Sequence, residues 1–395
     1  MIAAPMRQTS KLDAVQATYR SLVPLAIKGL RAMVLPDRAG FCHRAERDGQ
    51  TGLRLIGRSD RYAAMTVVGL SAWEEVHGPV GIDTTGVLDH LVDWASGEAH
   101  LGDAALVLWG LCIRGDNRAA ALAGRMAGRV GELLQNDCPL GSMPTGWLLA
   151  GAATAMRCGL GGSGLQELVT QARQRLLRYQ CLETGLFRLG GTASWKRLTR
   201  RRLFDRLGSF ASQVYPILGL SLLCRATGDQ QALQSANACA ERICRLQGAD
   251  GQWWWIYGVR EGSVVLRYPV YSIHQDAMGP MGLLALGAAG GEHHDDAILS
   301  GLAWLQSRPE RPSTDLVDES RHVIWRAVQR DRPSATGAFG LGGRERLRMD
   351  AGAWLGGSDR RVLADGHVCM ECRPYHLGWL LLAAAMAADF GAPRR

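Results

Sequence analysis

No apolar run in this 395-residue sequence approaches the roughly 18 to 20 residues that a bilayer-spanning helix needs. The best candidate, "WLLLAAAMAADF" (Trp379–Phe390), is too short and reads as a core helix. The opening "MIAAPMRQTSKLDAVQ" has no continuous apolar segment, which argues against a secretory signal and makes the cytoplasm the expected location. No long low-complexity tract interrupts the chain. Phenylalanine and tyrosine are scarce, at six and eight residues. The remaining composition is ordinary for a globular protein, 47% hydrophobic and 21% charged.

Ten cysteines are present, and most, such as Cys112, Cys158, Cys224 and Cys239, stand in apolar helical contexts. Without an export signal they read as reduced, buried thiols. The formal charge of +8 comes mainly from arginine and is concentrated in "SWKRLTRRRLFDRLGSF" (Ser194–Phe210). That stretch lacks the interleaved aromatics that stack on bases, and no nucleic-acid motif accompanies it, so nucleic acid is not an expected partner. It reads first as a solvated loop, and second as arginines at the rim of a pocket for an anionic substrate.

Six segments share one design: a polar or aromatic opening followed by a helix of small apolar residues. They begin at Arg61, Leu101, Pro144, Ser212, Ser272 and Glu371. Their partners are amphipathic at the 3.6-residue period, as in "QQALQSANACAERICRLQ" (Gln230–Gln247) and "DDAILSGLAWLQS" (Asp295–Ser307). A helix apolar on every side must be buried, and an amphipathic one can cover it from outside. Six inner and six outer helices predict an all-α fold, an (α/α)6 toroid with long loops and little β-structure. The expected organisation is a single domain over 1–395, with a helical N-terminal segment at 1–60 and a long insertion or lid at 307–370. The piece "SVVLRYPVY" (Ser263–Tyr271) is the clearest strand, expected in a short hairpin.

At Leu246–Trp253, "LQGADGQW" closes an outer helix, and "YQCLETGLF" (Tyr179–Phe187) is a looser copy. The first resembles the Q-x-x-D-G-x-W element of α/α-toroid proteins. Two groups share this grammar: the terpenoid cyclase and protein prenyltransferase superfamily, and the six-hairpin glycosidases with their related lyases and epimerases. The terpenoid branch implies a D-x-D-D or D-D-x-x-D acid motif. The first is missing, and in "HHDDAILSG" Leu299 stands where the third aspartate of the second would be. Asp295 and Asp296 read instead as first-turn acids of an outer helix. Resemblance to lantibiotic cyclases would imply zinc, and "HVCMECRPYH" offers His367 with Cys369, Cys372 and His376, the last three being the candidate ligands. The signatures of that family are missing, so no cofactor is expected.

In a toroid the inner-helix openings converge on one mouth, which gathers Asp103, Trp147, Tyr215, His274, Gln275, Asp276, Tyr375 and His376. The segment "YSIHQDAM" is richest. His274 and Asp276 are the candidates for acid–base work, since burial can tune either group. The bland alternative makes Ser272 an N-cap, Asp276 a first-turn acid and His274 a packing residue. Pro280, eight residues past Ser272, either kinks this helix or marks its first turn. In "STDLVDESRHVIWRAVQR" (Ser313–Arg330), Glu319, His322 and Arg326 have helical 3 and 4 spacing, which makes Glu319 or His322 a candidate lid partner. Paired carboxylates are what glycoside hydrolysis requires. Tyr271, Gln275, Trp254, Tyr215, Tyr375 and His376 are candidate substrate contacts, and Arg267 and Arg373 offer forks that match a carboxylate. The resemblance to the six-hairpin group implies a carbohydrate-active hydrolase, lyase or epimerase working on an anionic glycan. A terpenoid-cyclase-like or prenyltransferase-like enzyme is the second reading, and a non-catalytic glycan-binding or scaffold toroid the third.

Overall fold

The structure is a computed structural model that describes residues 6–50, 52–97, 99–134, 140–190, 206–307, 310, 314–330 and 366–389. Residues 194–205 of the basic stretch and 331–365 of the long insertion lie outside the described residues. Helices α1 (Met6–Met33), α2 (Asp60–His77), α3 (Thr85–Ser96), α4 (Leu101–Ile113), α5 (Arg118–Gly128), α6 (Gly131–Leu134), α7 (Ser142–Arg157) and α8 (Ser163–Tyr179) form the first half. The second half holds α9 (Ala211–Thr227), α10 (Gln230–Arg245), α11 (Gly279–Ala288), α12 (Asp295–Ser307) and α13 (Pro374–Asp389).

Burial separates two kinds of helix, as the hydrophobic pattern predicts. In α4 every residue from Leu101 to Cys112 is buried. In α10 the buried set is Ala232, Leu233, Ser235, Ala236, Cys239, Ala240 and Ile243, one stripe of an amphipathic helix. Asp229 caps α10 by accepting from the Ala232 N–H at 3.0 Å. The inner helices α2, α4, α7, α9, α11 and α13 each pack on the next, and α13 returns to α2. The outer helices lean on them, with α1 covering α13. The result is an α/α toroid of six helical hairpins. Among the described residues no helix is long and apolar enough to cross a membrane.

Glycine lets the inner helices approach until backbones touch. A Cβ on Gly69 of α2 would sit 1.8 Å from the Gly378 carbonyl oxygen of α13. A Cβ on Gly151 of α7 would meet the Ala105 carbonyl of α4 at 2.2 Å. Neither neighbour is a flexible side-chain tip, so neither can move aside cheaply.

The strands are short and gather where inner helices begin. β2 (Gly52–Arg58) runs into α2, β3 (Leu207–Ser209) into α9, β6 (Val270–Tyr271) into the turn before α11, and β11 (Glu371–Cys372) into α13. The N-terminal region differs from expectation, because residues after α1 form a hairpin of β1 (Cys42–Asp48) and β2. The Asp48-Gly49 turn and the alternation of Leu53, Arg54 and Leu55 explain it. β11 adds to the free edge of β1. "SVVLRYPVY" splits in two. β5 (Ser263–Leu266) pairs with β4 (Ile256–Gly258), while β6 joins β9 (Ala327–Gln329), whose other edge takes β10 (His367–Cys369). The helical spacing of Glu319, His322 and Arg326 likewise gives way to a hairpin, β7 (Val317–Asp318) with β8 (Val323–Ile324). Its turn holds His322 at φ 56, and Asp318 accepts from the Arg321 N–H at 3.1 Å. Three β-branched residues and this Asp-led turn outweigh the helical charge spacing.

Pro280 resolves its own ambiguity by doing both things. Lacking an N–H, it leaves the Asp276 carbonyl without its intrahelical donor. The helix bulges into a π turn over His274–Met278, closed by the Gly279 N–H donating to the His274 carbonyl. The freed Asp276 carbonyl is taken by the Tyr19 hydroxyl of α1 at 3.0 Å.

Gly69→Ala is expected to lower stability by about 1 to 3 kcal/mol through overpacking. Gly124→Ala, on an exposed stretch of α5 with nothing within 4 Å of its Cβ, should instead add roughly 0.5 to 1 kcal/mol. Urea midpoints at unchanged m-value check both.

Candidate active site

A cavity of about 430 Å³ opens at the inner-helix N-termini. Arg61, Tyr62 and Met65 of α2 form one wall, and Met143, Pro144 and Trp147 of α7 the next. Ser212 and Tyr215 of α9 follow, then His274 and Met278 of the π turn, then Tyr375 of α13. The mouth strands and their loops add Ser209, Trp255, Tyr271, Arg326 and Arg373. Each helix residue stands in a first turn or just below it, so residues distant in sequence converge.

Two guanidinium systems set the electrostatics. Arg61 grips Asp103 of α4 with both arms, at 2.7 and 2.9 Å, and lies over the Trp147 ring at 5.6 Å. Asp103 is buried, and the α4 N-terminus adds the His100 ring, 2.9 Å from Arg61 Nη2. In the second system one carboxylate, Glu371, serves two arginines. Arg326 Nη1 donates to Glu371, and Arg373 Nε does so at 3.1 Å. Arg373 Nη1 also donates to the Tyr62 hydroxyl at 2.6 Å. Arg326 lies over the Tyr271 ring at 5.2 Å. Tyr62 in turn packs on Tyr375, with ring centroids 4.4 Å apart. Burial pushes the Tyr375 hydroxyl up to about 12, so it stays a proton donor at neutral pH.

His274 lines the cavity with one of its two ring nitrogens unengaged. Its ring packs between Phe210 at 4.5 Å and Tyr271 at 5.1 Å, and its Nδ1 makes no hydrogen bond. Burial drives its pKa down to about 3; a hydrogen bond to the Trp253 backbone opposes the shift, and His376 and Arg326 add to it. The imidazole is therefore neutral at neutral pH.

The other candidates divide. Tyr215, Tyr271, Tyr375 and Arg373 line the cavity as expected. Asp276 and His376 do not; they form a sealed pair behind the wall, with His376 Nε2 at 2.8 Å from both Asp276 oxygens. Burial raises the Asp276 carboxyl while His376 opposes it. The π turn explains the swing, because its extra residue re-aims the side chains that follow His274. Gln275 is a backbone clamp: its Oε1 accepts from the Trp253 N–H at 2.9 Å, and its Nε2 donates to the Tyr271 carbonyl at 3.1 Å. Gln213 treats Phe187 the same way, accepting from its N–H at 2.7 Å and donating to its carbonyl at 2.8 Å. Both clamps follow the repeated turn, where Gln247 donates to the Gly251 carbonyl and Gln180 to the Gly185 carbonyl.

Trp254 is buried and covered by Arg267, whose guanidinium carbon lies 4.5 Å from the ring, so neither reaches the cavity; Trp255 does. Glu319 and His322 line a separate groove between α1 and α12, because their segment is a hairpin and not a lid helix. The zinc candidates do not assemble. His376 is held by Asp276, burial raises Cys369 to about 11 and Cys372 to about 12, and no metal-binding group of three exists among the described residues. Arg61, Tyr62, Trp255 and Arg326 are the contacts that sequence reasoning missed. Arg61 and Tyr62 carried the same signal as Tyr375, since they open an inner helix, whereas Trp255 and Arg326 stand in loops without periodicity.

The pKa of His274 makes a stability prediction with a definite sign. Above its ordinary value of 6.5 the ring is neutral in both folded and unfolded chains. As pH falls from 6.5 toward 3, the unfolded chain takes up a proton that the fold refuses. Stability then drops by about 1.4 kcal/mol per pH unit from this one group. Asp276 acts in the opposite direction, but equally in both proteins compared. His274→Gln should flatten the acid limb of urea-unfolding stability between these values relative to wild type.

The sequence matches no protein-family profile, and no curated protein matches it. Solved structures do share its architecture. An unsaturated glucuronyl hydrolase specific for heparin superposes with a TM-score of 0.61 at 13% identity, over 96% of this chain and 98% of that one. A sugar epimerase from a ruminal bacterium gives 0.62 at 12%, over 96% and 100%. The cellobiose 2-epimerase of Bacillus thermoamylovorans gives 0.62 at 10%, over 95% and 99%. At these identities the likeness is one of fold, and it places this chain among the α/α toroids of the six-hairpin glycosidase-like architecture.

Proposed function

We propose that this chain is a carbohydrate-active enzyme that binds a negatively charged sugar unit in the cavity and moves a proton with His274. The observation that carries the reading is the meeting of two arginine forks, a set of Trp and Tyr faces, and a neutral imidazole with an unengaged Nδ1. Guanidinium forks match a carboxylate, and aromatic faces suit the apolar side of a pyranose. The fold neighbours support the class, since those named are a glucuronyl hydrolase and two sugar epimerases.

A uronate carboxylate on Arg326 would have its charge balanced there, which acidifies the adjoining C–H. His274 is neutral and so able to accept that proton. The negative charge of the bound sugar raises the imidazole pKa toward a useful range for a base. Delivery of a proton to the opposite face by a cavity tyrosine such as Tyr375, followed by loss of the His274 proton to solvent and reprotonation of the tyrosine, gives epimerisation. Loss of the β-oxygen, protonated by a cavity tyrosine such as Tyr375, gives elimination. Hydrolysis is the second reading, favoured by the glucuronyl hydrolase among the neighbours. The carboxylates nearest the cavity, Asp103 and Glu371, are engaged with arginines. Charged forks suit a carbocation cavity poorly, so the terpenoid reading falls behind. Asp276 is bound into the wall as a scaffold protein would have it, but the cavity beside it is open.

The test uses uronate-ended and neutral disaccharides in deuterated buffer, read by NMR for deuterium uptake, unsaturation and free sugars. Wild type is expected to turn over a uronate-ended member, His274→Gln to slow it by about 100- to 10,000-fold, and Arg326→Gln mainly to raise KM. Inactivity of wild type on the whole panel, or full activity of His274→Gln, sinks the reading.

A further inference from the structure

The charges around the cavity are unevenly balanced. On the α2–α4 side one guanidinium, Arg61, meets one carboxylate, Asp103. On the mouth-strand side two guanidiniums, Arg326 and Arg373, meet one, Glu371. Arg44 Nε stands 3.7 Å from the other oxygen of Glu371, but its closer partner is Glu46 at 2.7 Å, which Arg54 also binds. His43, stacked on Tyr62, has its pKa lowered, first by burial and then by Arg373, and His274 is neutral. Among the described residues the three guanidiniums that line the cavity, Arg61, Arg326 and Arg373, have two carboxylates as ion-pair partners, which leaves one positive charge in excess in the wall, at Arg326 and Arg373.

Glu371 is the reason that charge is one and not two. Its side chain is 13% exposed, and its Oε1 is shared by both arginines. Among the described residues Arg326 engages only its Nη1, which leaves Nε and Nη2 for a ligand. We infer that Glu371 is a specificity-determining residue, which sets this end of the cavity to take a sugar carrying one negative charge, such as a carboxylate, and to reject a dianion such as a phosphate monoester. One negative charge neutralises the arginine pair and can lie across one guanidinium edge. A second would be buried beside Glu371 without a counter-charge, which a low-dielectric cavity disfavours.

This inference rests on the saccharide reading, and its test keeps the two apart. Calorimetric titration compares D-glucuronate with D-glucose 6-phosphate at pH 8, where the phosphate is dianionic. Wild type is expected to favour glucuronate by about tenfold or more. Glu371→Gln, which doubles the net charge at the arginines, should narrow or reverse that preference by a similar factor, and Glu371→Asp should keep it. A wild-type measurement stands independently of how the variants fold. Glucose 6-phosphate loses its second charge below about pH 6, so wild type should bind it tighter at pH 5 than at pH 8. Tighter binding at pH 8, or a folded Glu371→Gln with wild-type preference, overturns the inference. Failure of wild type to bind either sugar acid overturns the saccharide reading instead.

Discussion

An inner helix that is apolar on every side can enter this fold only if the polar backbone at its mouth finds partners inside the protein. Two glutamines meet that demand, Gln213 for the strand-like stretch at Phe187 and Gln275 for the stretch at Trp253. Each binds the N–H and the carbonyl of an aromatic residue that ends the preceding hairpin. Buried backbone groups left unpaired cost as much as a lost hydrogen bond, so these clamps fix where the next inner helix starts. The cavity rim is built on those starting points, since Tyr215 lies two residues past Gln213 and His274 immediately precedes Gln275.

Below the rim, the sealed Asp276–His376 pair ties the fifth inner helix to the sixth across 100 residues of sequence. Its position follows from Pro280 and the π turn, and Tyr19 closes the remaining gap in the backbone. Together these hold His274 against the cavity while Gln275 and Asp276 are engaged in the wall. A proton carrier with one ring nitrogen left open, supported by residues whose polar groups are engaged, keeps one atom available.

Much of this was legible in the sequence, and what was not has physical causes. The six inner helices could be read because periodicity and small-residue content are local properties. Trp147, Tyr215, His274 and Tyr375 could be gathered around one cavity because helix openings in a toroid converge. Asp276 was misread because a π turn, set by one proline, changes which way a side chain faces without changing the sequence pattern. Glu319 and His322 were misread because helical spacing of charges competes weakly with β-branched residues around a tight turn. Arg326 joins the site through pairing of β9 with β6 and β10, which no local pattern records.

The carbonyl-to-Cβ distances at Gly69 and Gly151 have a further meaning for ligand binding. Helices already in backbone contact cannot slide or spread to accommodate a guest, so the shaft of the toroid behaves as a rigid mould. Whatever adjustment binding requires must come from the two- to seven-residue strands around the opening. New specificities would then arise by exchanging side chains on those short ribbons, while the glycine-lined inner helices below stay as they are.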